Sequence, residues 1–298
     1  MFSKTRNKNF SKKEGLIVKG KRFISLLLAL VLCVGMLPMT ASAADSSGSC
    51  GYSATWKFDS ATGELTVSGT GDMFDYSTKD APWSDFAGQI KKVVVNGVGI
   101  SNYAFSGCHN LTTVKLSGGV YEIGDYAFLY CSNITTINLS GVTKVGKCAF
   151  ADCSKLKEVL FYSRSLQVTN GTSEYASFDA ETVTLYTGNP QYLSGYTSGT
   201  WNGYALKSLE ECNKCGDSLT WSVSKIENAR VEGDAYKLVI SGTGDMYDFG
   251  ATDNQHWSKY NRHTHGSSGG SYIAEVVLES GITHIGSSAF AEFCKVEK

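Results

Sequence analysis

The chain is poor in proline, and it also lacks low-complexity tracts and long runs of like charge. It contains 3 prolines and 32 glycines in 298 residues, and its formal net charge is −1. Few prolines, many glycines and frequent aromatic and β-branched residues favour short strands joined by glycine turns over helices. The sequence also lacks a Ser/His/Asp or Cys/His nucleophile pattern, so it carries no hydrolase signature of that kind.

One long apolar run lies near the N-terminus. It spans residues 23–37, follows eight basic residues and precedes the small-residue sequence Ala41-Ser42-Ala43. This order predicts a secretory signal peptide over residues 1–43, cleaved after Ala43. The alternative is an uncleaved membrane anchor, but the run is shorter than the roughly 20 residues that a spanning helix needs.

Removal of residues 1–43 changes the charge of the protein. Eight of the 27 basic residues and one of the 28 acidic residues lie in that segment, so residues 44–298 carry a net charge of −8. A mildly acidic exported protein has no electrostatic attraction for nucleic acid or anionic membranes. No second apolar span follows, so we expect no membrane insertion after signal cleavage.

A repeated phrase dominates residues 97–161. It reads G-V-x-x-I-G-x-x-A-F and continues as x-x-C-x-x-L-x-x-V-x-L. Its Ala-Phe pairs begin at Ala104, Ala127 and Ala149, which are 23 and 22 residues apart, and a partial copy contains Ala289-Phe290. A period of this length predicts a solenoid, in which each unit buries its apolar face only against its neighbours.

A longer repetition divides the chain into two copies of one design. The hexapeptide at residues 68–73 recurs unchanged at residues 241–246, and Cys-Gly, Trp and Leu landmarks keep the same order around it. Alternating apolar residues ahead of each hexapeptide predict half-buried strands. Each copy is therefore expected to be a β-rich cap followed by repeat units, because a cap covers the otherwise exposed edge of the first unit.

The repeat phrase resembles the BspA-type leucine-rich repeat of exported bacterial proteins. The segment from Cys50 to Trp83 is similar to the sequence that often precedes those repeats, and the resemblance covers most of residues 50–161 and 215–294. It implies a curved, right-handed leucine-rich-repeat solenoid in a secreted or surface-attached protein. Family members are associated with adhesion to host proteins or other cells, so we expect a non-enzymatic recognition protein.

The predicted fold class is mainly β with short helical or irregular returns. It is a leucine-rich-repeat solenoid with β-rich N-terminal caps, in two copies. The expected boundaries are 1–43 for the signal peptide, 44–96 for the first cap, 97–161 for the repeat units, 162–211 for a closing β segment and linker, 212–279 for the second cap and 280–298 for a partial repeat unit. No cell-wall sorting motif follows, so we expect a released protein or a truncated reading frame.

The strand face of the repeats is the candidate binding surface. Strand side chains alternate between two sides, so residues between the inward apolar positions point outward. The candidate binding residues are Lys92, Val94, Thr113, Lys115, Thr136, Asn138 and Glu158. This strip is mixed in charge and poor in aromatics, so the partner stays open as an extracellular protein or glycan. Aromatic residues in 175–204 are an alternative contact patch or a closing cap.

Four aspartates allow a catalytic and a structural interpretation. They occur as two pairs, Asp72 with Asp75 and Asp245 with Asp248. Paired carboxylates could serve a secreted polysaccharide-acting hydrolase or bind calcium. Each pair follows a strand, however, where aspartate commonly caps a turn. A hydrolase, its carbohydrate-targeting accessory and a structural surface-layer component are the alternative functions.

The cysteines are expected to be structural. Three of them share one repeat position, namely Cys108, Cys131 and Cys153. Parallel rungs do not present disulfide geometry, so we expect buried free thiols. Cys212 and Cys215 could form half a zinc site with His263 and His265, or a linker disulfide, or free thiols. We expect no catalytic residue, metal or cofactor.

Overall fold

The computed structural model describes residues 45–163, 165–188, 190–216, 218–227, 233–249, 256–257, 260, 270–291, 293 and 296. All of them belong to one compact unit, Ala43–Lys298. The predicted signal peptide lies outside the described residues, as do His263 and His265, so these parts of the sequence interpretation stay predictions. Within the described ranges, no helix is long and apolar enough to span a bilayer.

The described residues are mainly β with almost no helix, which confirms the coarse fold class. The strands are β1 (Ser46–Ser49), β2 (Ala54–Asp59), β3 (Glu64–Gly69), β4 (Lys92–Asn96), β5 (Thr113–Ser117), β6 (Glu122–Ile123), β7 (Thr136–Asn138), β8 (Lys144–Val145), β9 (Glu158–Leu160), β10 (Gln167–Val168), β11 (Thr184–Thr187), β12 (Thr200–Trp201), β13 (Tyr204–Ser208), β14 (Lys214–Gly216), β15 (Leu219–Lys225), β16 (Asp234–Gly242), β17 (Gly244–Asp245), β18 (Ser271–Leu278) and β19 (Ile282–His284). Short 3-10 helices span Ser84–Gln89, Pro190–Tyr192 and Leu209–Glu211.

The first five strands form one sheet in chain order, β1 to β5. β1, β2 and β3 pair antiparallel, whereas β4 pairs parallel with both β3 and β5. Gly63 has a φ of +73° in the turn into β3, and its N–H donates to Asp59 O at 2.8 Å. Leu65 and Val67 alternate inward along β3 and are fully buried. The antiparallel strands thus lead directly into the parallel strands of the repeats.

Each repeat unit contributes strands to parallel rows on two sides of the core. We call β4, β5, β7, β9, β11 and β13 the strand ladder and β6, β8 and β10 the short ladder. Thr136 pairs with Glu158 in the strand ladder, and Glu122 pairs with Lys144 in the short ladder. Equivalent residues of successive units therefore stand beside each other, and a side chain that recurs in sequence forms a row in space.

A row of stacked aromatic rings runs through the core of the repeats. Successive centroids of Trp83, Phe105, Phe128, Phe150 and Phe178 are 5.5, 5.2, 5.0 and 5.2 Å apart, and each ring is at most 1% exposed. Offset-stacked rings at this distance attract each other beyond their burial of apolar area. The recurring Phe of the sequence phrase is therefore the central packing element of the repeats.

The repeats extend beyond residue 161, where the sequence placed their end. β10 pairs parallel with β8, β11 pairs parallel with β9, and Phe178 continues the ring stack. Ser177 occupies the position of the usual Ala. Its buried hydroxyl donates to Gly146 O at 2.9 Å and accepts from Thr169 N at 2.9 Å, so its burial leaves no polar group unpaired. The parallel pairing and the ring stack therefore continue past the boundary expected at residue 161.

Residues from 212 onward, called here the second module, repeat the pairing pattern of the first cap. β15 pairs antiparallel with β16, and β16 pairs parallel with β18, as β2, β3 and β4 do. The indole Nε1 of Trp83 donates to Ala104 O at 2.6 Å, and that of Trp257 donates to Ala289 O at 3.1 Å. The second module has its own apolar cluster, separate from the core of the first module (residues 45–211).

Candidate functional site

The candidate binding residues lie side by side on the strand ladder. Val94 stands opposite Lys115, and Thr136 stands opposite Glu158. All of the candidate residues are partly exposed except Thr136, which is 6% exposed. We call the outward side chains of this ladder the strand face. The residues selected from the sequence therefore share one face of the strand ladder. The structure also shows which other residues contact this face.

The strand ladder is interrupted between β5 and β7, which belong to different sheets. Gly118 and Gly119 follow β5 with φ angles of +66° and +93°. A Cβ at Gly118 would lie 2.9 Å from the backbone nitrogen of Gly97, so this close approach and the positive φ favour glycine. Leu116 of β5 and Asn138 of β7 stand on either side of this interruption.

The second module contacts the strand face through charged side chains, which the sequence analysis did not foresee. Lys115 forms an ion pair with Asp245. Lys214 Nζ lies 2.7 Å from Glu158 Oε2 and donates to Thr136 Oγ1 at 2.7 Å. Hydrogen bonds from Lys115 and Thr283 hold the pKa of Asp245 below its ordinary value. Three of the candidate residues, namely Lys115, Thr136 and Glu158, are therefore contacted by the second module.

An apolar contact accompanies these ion pairs. Leu160 and Tyr186 lie on β9 and β11 and are 0% and 8% exposed. They cluster with Leu209 and Cys212, and Tyr247 of the second module packs against the same cluster. Leu160 alternates with the inward Val159, so its burial comes from this covering and not from the core of the repeats.

A cleft remains between the strand face and the second module. Its volume is about 290 Å³. Val94, Lys115 and Asn138 line it on the strand-face side, and Asp245 and His284 line it on the other side. Its walls combine carboxylate, amide, ammonium and apolar groups, which is the mixed chemistry of a recognition site. It lies where the strand ladder is interrupted.

Three of the four aspartates accept hydrogen bonds from neighbouring segments, whereas Asp245 pairs with the side chains of Lys115 and Thr283. Asp72 Oδ1 accepts from the Tyr121 hydroxyl at 2.6 Å, and Asp248 Oδ1 accepts from Ser287 N at 2.7 Å. Asn102 N donates to Asp75 Oδ1 at 3.4 Å. These contacts favour the turn-capping interpretation. Among the described residues, no group of three or more His, Cys, Asp or Glu side chains could hold a metal ion.

A second, more polar cavity of about 390 Å³ lies along the short ladder. Asp72, Asp75, Asp125, Glu122 and Lys144 line it. Lys144 Nζ lies 2.5 Å from Glu122 Oε1, and Lys147 Nζ lies 3.6 Å from Asp125 Oδ2. The carboxylates are thus partly neutralised by neighbouring lysines, and this cavity contains none of the candidate binding residues.

The repeat cysteines form a buried row of free thiols, as predicted. Cys131 Sγ donates to Phe105 O at 3.2 Å, and Cys153 Sγ donates to Phe128 O at 3.2 Å. Burial raises the pKa of Cys153 to about 12, so its thiolate is scarce at neutral pH. Cys212 and Cys215 are also buried and unbridged.

The aromatic residues of 175–204 mostly close the end of the repeats. Tyr204 is fully buried, and its ring meets Phe178 edge-on with centroids 5.7 Å apart. Trp201 is 4% exposed and stacks on Phe161 at 5.5 Å. Tyr175, in contrast, is 48% exposed. The closing interpretation therefore fits better than the alternative contact patch.

Comparison with known proteins identifies part of the chain. Residues 90–188 match the BspA type leucine rich repeat region in six copies, which confirms the resemblance inferred from the repeat phrase. No match exists among curated proteins.

Two crystal structures are distantly similar. A leucine-rich repeat protein from Eubacterium ventriosum has 17% identity and a TM-score of 0.37, over 83% of this chain and 63% of that one. A leucine rich cell surface protein from Faecalibacterium prausnitzii has 16% identity and a TM-score of 0.29, over 84% of this chain and 74% of that one. The chain spans less than two thirds of the length of the first. Both TM-scores are below 0.5.

Proposed function

Because residues 90–188 are a BspA-type leucine-rich repeat region, we propose that the protein is a non-enzymatic recognition protein that acts outside the cell. It is exported by the signal peptide over residues 1–43 and is secreted or held at the cell surface. Its architecture is a capped solenoid in two copies, the second of them partial. It binds an extracellular protein or glycan through the strand face.

The cleft is the observation that carries this proposal. Val94, Lys115 and Asn138, which the sequence selected only as outward strand residues, line one cavity with residues of the second module. Ligand sites are typically concave and combine apolar walls with a few placed polar groups. The partner would contact the open part of the strand face, around Lys92, Val94 and Thr113, and reach into the cleft.

Binding to an array of extracellular proteins and glycans tests the proposal. The purified chain is compared with Val94→Arg and Asn138→Arg, which place a long charged side chain in the cleft. Ser154→Arg is the matched control, because Ser154 is exposed and lies outside the strand ladder. We expect a hit that both cleft variants weaken at least tenfold, by about 1.4 kcal/mol or more, and that the control variant retains.

Two results would contradict the proposal. One is a set of hits that bind the cleft variants and the control variant equally well. The other is turnover of a polysaccharide that is lost in Asp72→Asn and Asp245→Asn, because this would favour a hydrolase. Self-assembly of the purified chain without any partner would favour a structural surface-layer role.

A further inference from the structure

The second module covers part of the surface that the repeats would otherwise present. Thr136 is 6% exposed, Leu160 is fully buried and Tyr186 is 8% exposed, and all three lie on the strand ladder. The residues that cover them come from the end of the first module and from the second module. The strand face therefore has an open part, around Lys92 and Val94, and a part that is occupied within the chain.

The contact between the modules includes two partly exposed ion pairs. The side chains of the Lys115–Asp245 pair are 34% and 33% exposed, and those of the Lys214–Glu158 pair are 27% and 22% exposed. Ion pairs at this exposure are weak and screened by salt. The apolar part is the small cluster around Leu160 together with Tyr162, which packs against the core of the second module.

Each module also has a core of its own. The ring stack and its surroundings form one apolar cluster, and Leu219, Leu238, Ile240 and Trp257 belong to another. When two modules with separate cores meet at an interface of this kind, relative movement is the default expectation. Among the described residues, Tyr162 of the first module packs against the second module's cluster, so opening of the contact would uncover this side chain while the buried members of each cluster stay packed together.

We propose that the second module is a displaceable occupant of the strand face, so that Thr136, Glu158 and Leu160 become accessible when it lifts away. The second module therefore competes with an external partner for the same part of the strand face. The affinity for a partner that uses the covered positions is then reduced by the fraction of molecules in the docked state. This consequence rests on the proposed function, whereas the displacement itself can be measured without any partner.

The exposure of three native thiols distinguishes displacement of the second module from unfolding of either module. Cys212 is 1% exposed and lies in the contact cluster with Leu160. Cys131 lies in the core of the repeats, and Cys215 lies in the core of the second module. Displacement should expose Cys212 first, whereas unfolding of either module should expose Cys131 or Cys215.

The test is labelling of the reduced, purified chain with N-ethylmaleimide, with the rate at each cysteine read by peptide mass spectrometry. We expect Cys212 to react faster than Cys131 and Cys215. Asp245→Asn combined with Lys214→Met should accelerate Cys212 by about tenfold, since two partly exposed ion pairs are lost, and should leave Cys131 unchanged. Lys144→Met is the matched control, because it removes a pair with Glu122 outside the contact.

A salt series on the unmodified chain keeps the test valid if the double variant folds poorly. Raising the salt concentration screens both ion pairs, so the rate at Cys212 should increase while that at Cys131 does not. Equal rates at the three cysteines, or a Cys212 rate that responds to neither salt nor the double variant, would overturn the proposal. Failure of the partner screen would leave these rates unaffected.

Discussion

Lowering the pH from 7.5 to 4.5 should destabilise the second module through His256. This side chain is fully buried, and its ring lies against Phe249 at 5.5 Å and Trp221 at 6.2 Å between centroids. Burial among aromatic rings disfavours the charged imidazolium and lowers the pKa of His256 from 6.5 to about 4. The unfolded chain therefore binds a proton at a higher pH than the folded chain does.

The loss of stability at low pH follows from the difference between the pKa of His256 in the folded chain and its pKa in the unfolded chain. A histidine with a lowered folded-state pKa contributes its full stability above pH 6.5 and loses it as the pH falls from 6.5 towards 4. A shift of one pKa unit corresponds to about 1.4 kcal/mol, so the loss amounts to roughly 2 to 3 kcal/mol by pH 4.5. Asp245, whose pKa is lowered by its hydrogen bonds with Lys115 and Thr283, contributes mainly below this range.

Urea unfolding followed by tryptophan fluorescence measures the loss, because Trp221 and Trp257 both flank His256. In His256→Leu the free energy of unfolding should change by less than about 1 kcal/mol between pH 7.5 and 4.5. His109→Leu is the control, because His109 is exposed in the first module, and it should keep the full loss. An equal loss in His256→Leu and in the unmodified chain would refute this reasoning.

Two further predictions concern the packing of the repeats, and urea unfolding measures both. Phe128→Ala removes the middle of the ring stack and should lower the free energy of unfolding by about 3 to 5 kcal/mol. Tyr130→Ala is the control, because Tyr130 is 54% exposed, and it should change the free energy of unfolding by less than about 1 kcal/mol. Equal losses would contradict the role of the stack. Gly124→Ala places a Cβ 2.7 Å from the backbone of Asn102, so it should destabilise by about 1 to 3 kcal/mol. No change would mean that the units are less closely packed.

Much of the repeat packing could be predicted because it depends on a short recurring phrase. The spacing of Phe105, Phe128 and Phe150 placed them in the core, and they form the ring stack. The unit containing Phe178 was missed because it follows Phe150 by 28 residues and carries Ser177 instead of alanine. A hydroxyl in the core becomes acceptable only when its hydrogen-bond partners are known.

The covering of the strand face could not be predicted from the phrase. Lys115 and Asp245 are separated by 130 residues, and no local pattern specifies that they meet. One signal was available, since Leu160 and Tyr186 are apolar residues at outward positions. Apolar side chains that point away from the core of a repeat indicate a covering partner. The sequence identified the strand face, and long-range contacts determine how much of it is open.

Hydrogen–deuterium exchange of the chain with and without the tightest partner from the array tests the recognition surface most directly. We expect protection in β4 and β5 and at Asn138, where the strand face is open and borders the cleft. We expect no protection in β6, β8 and β10 of the short ladder. Protection confined to the short ladder, or spread evenly over the chain, would contradict recognition through the strand face.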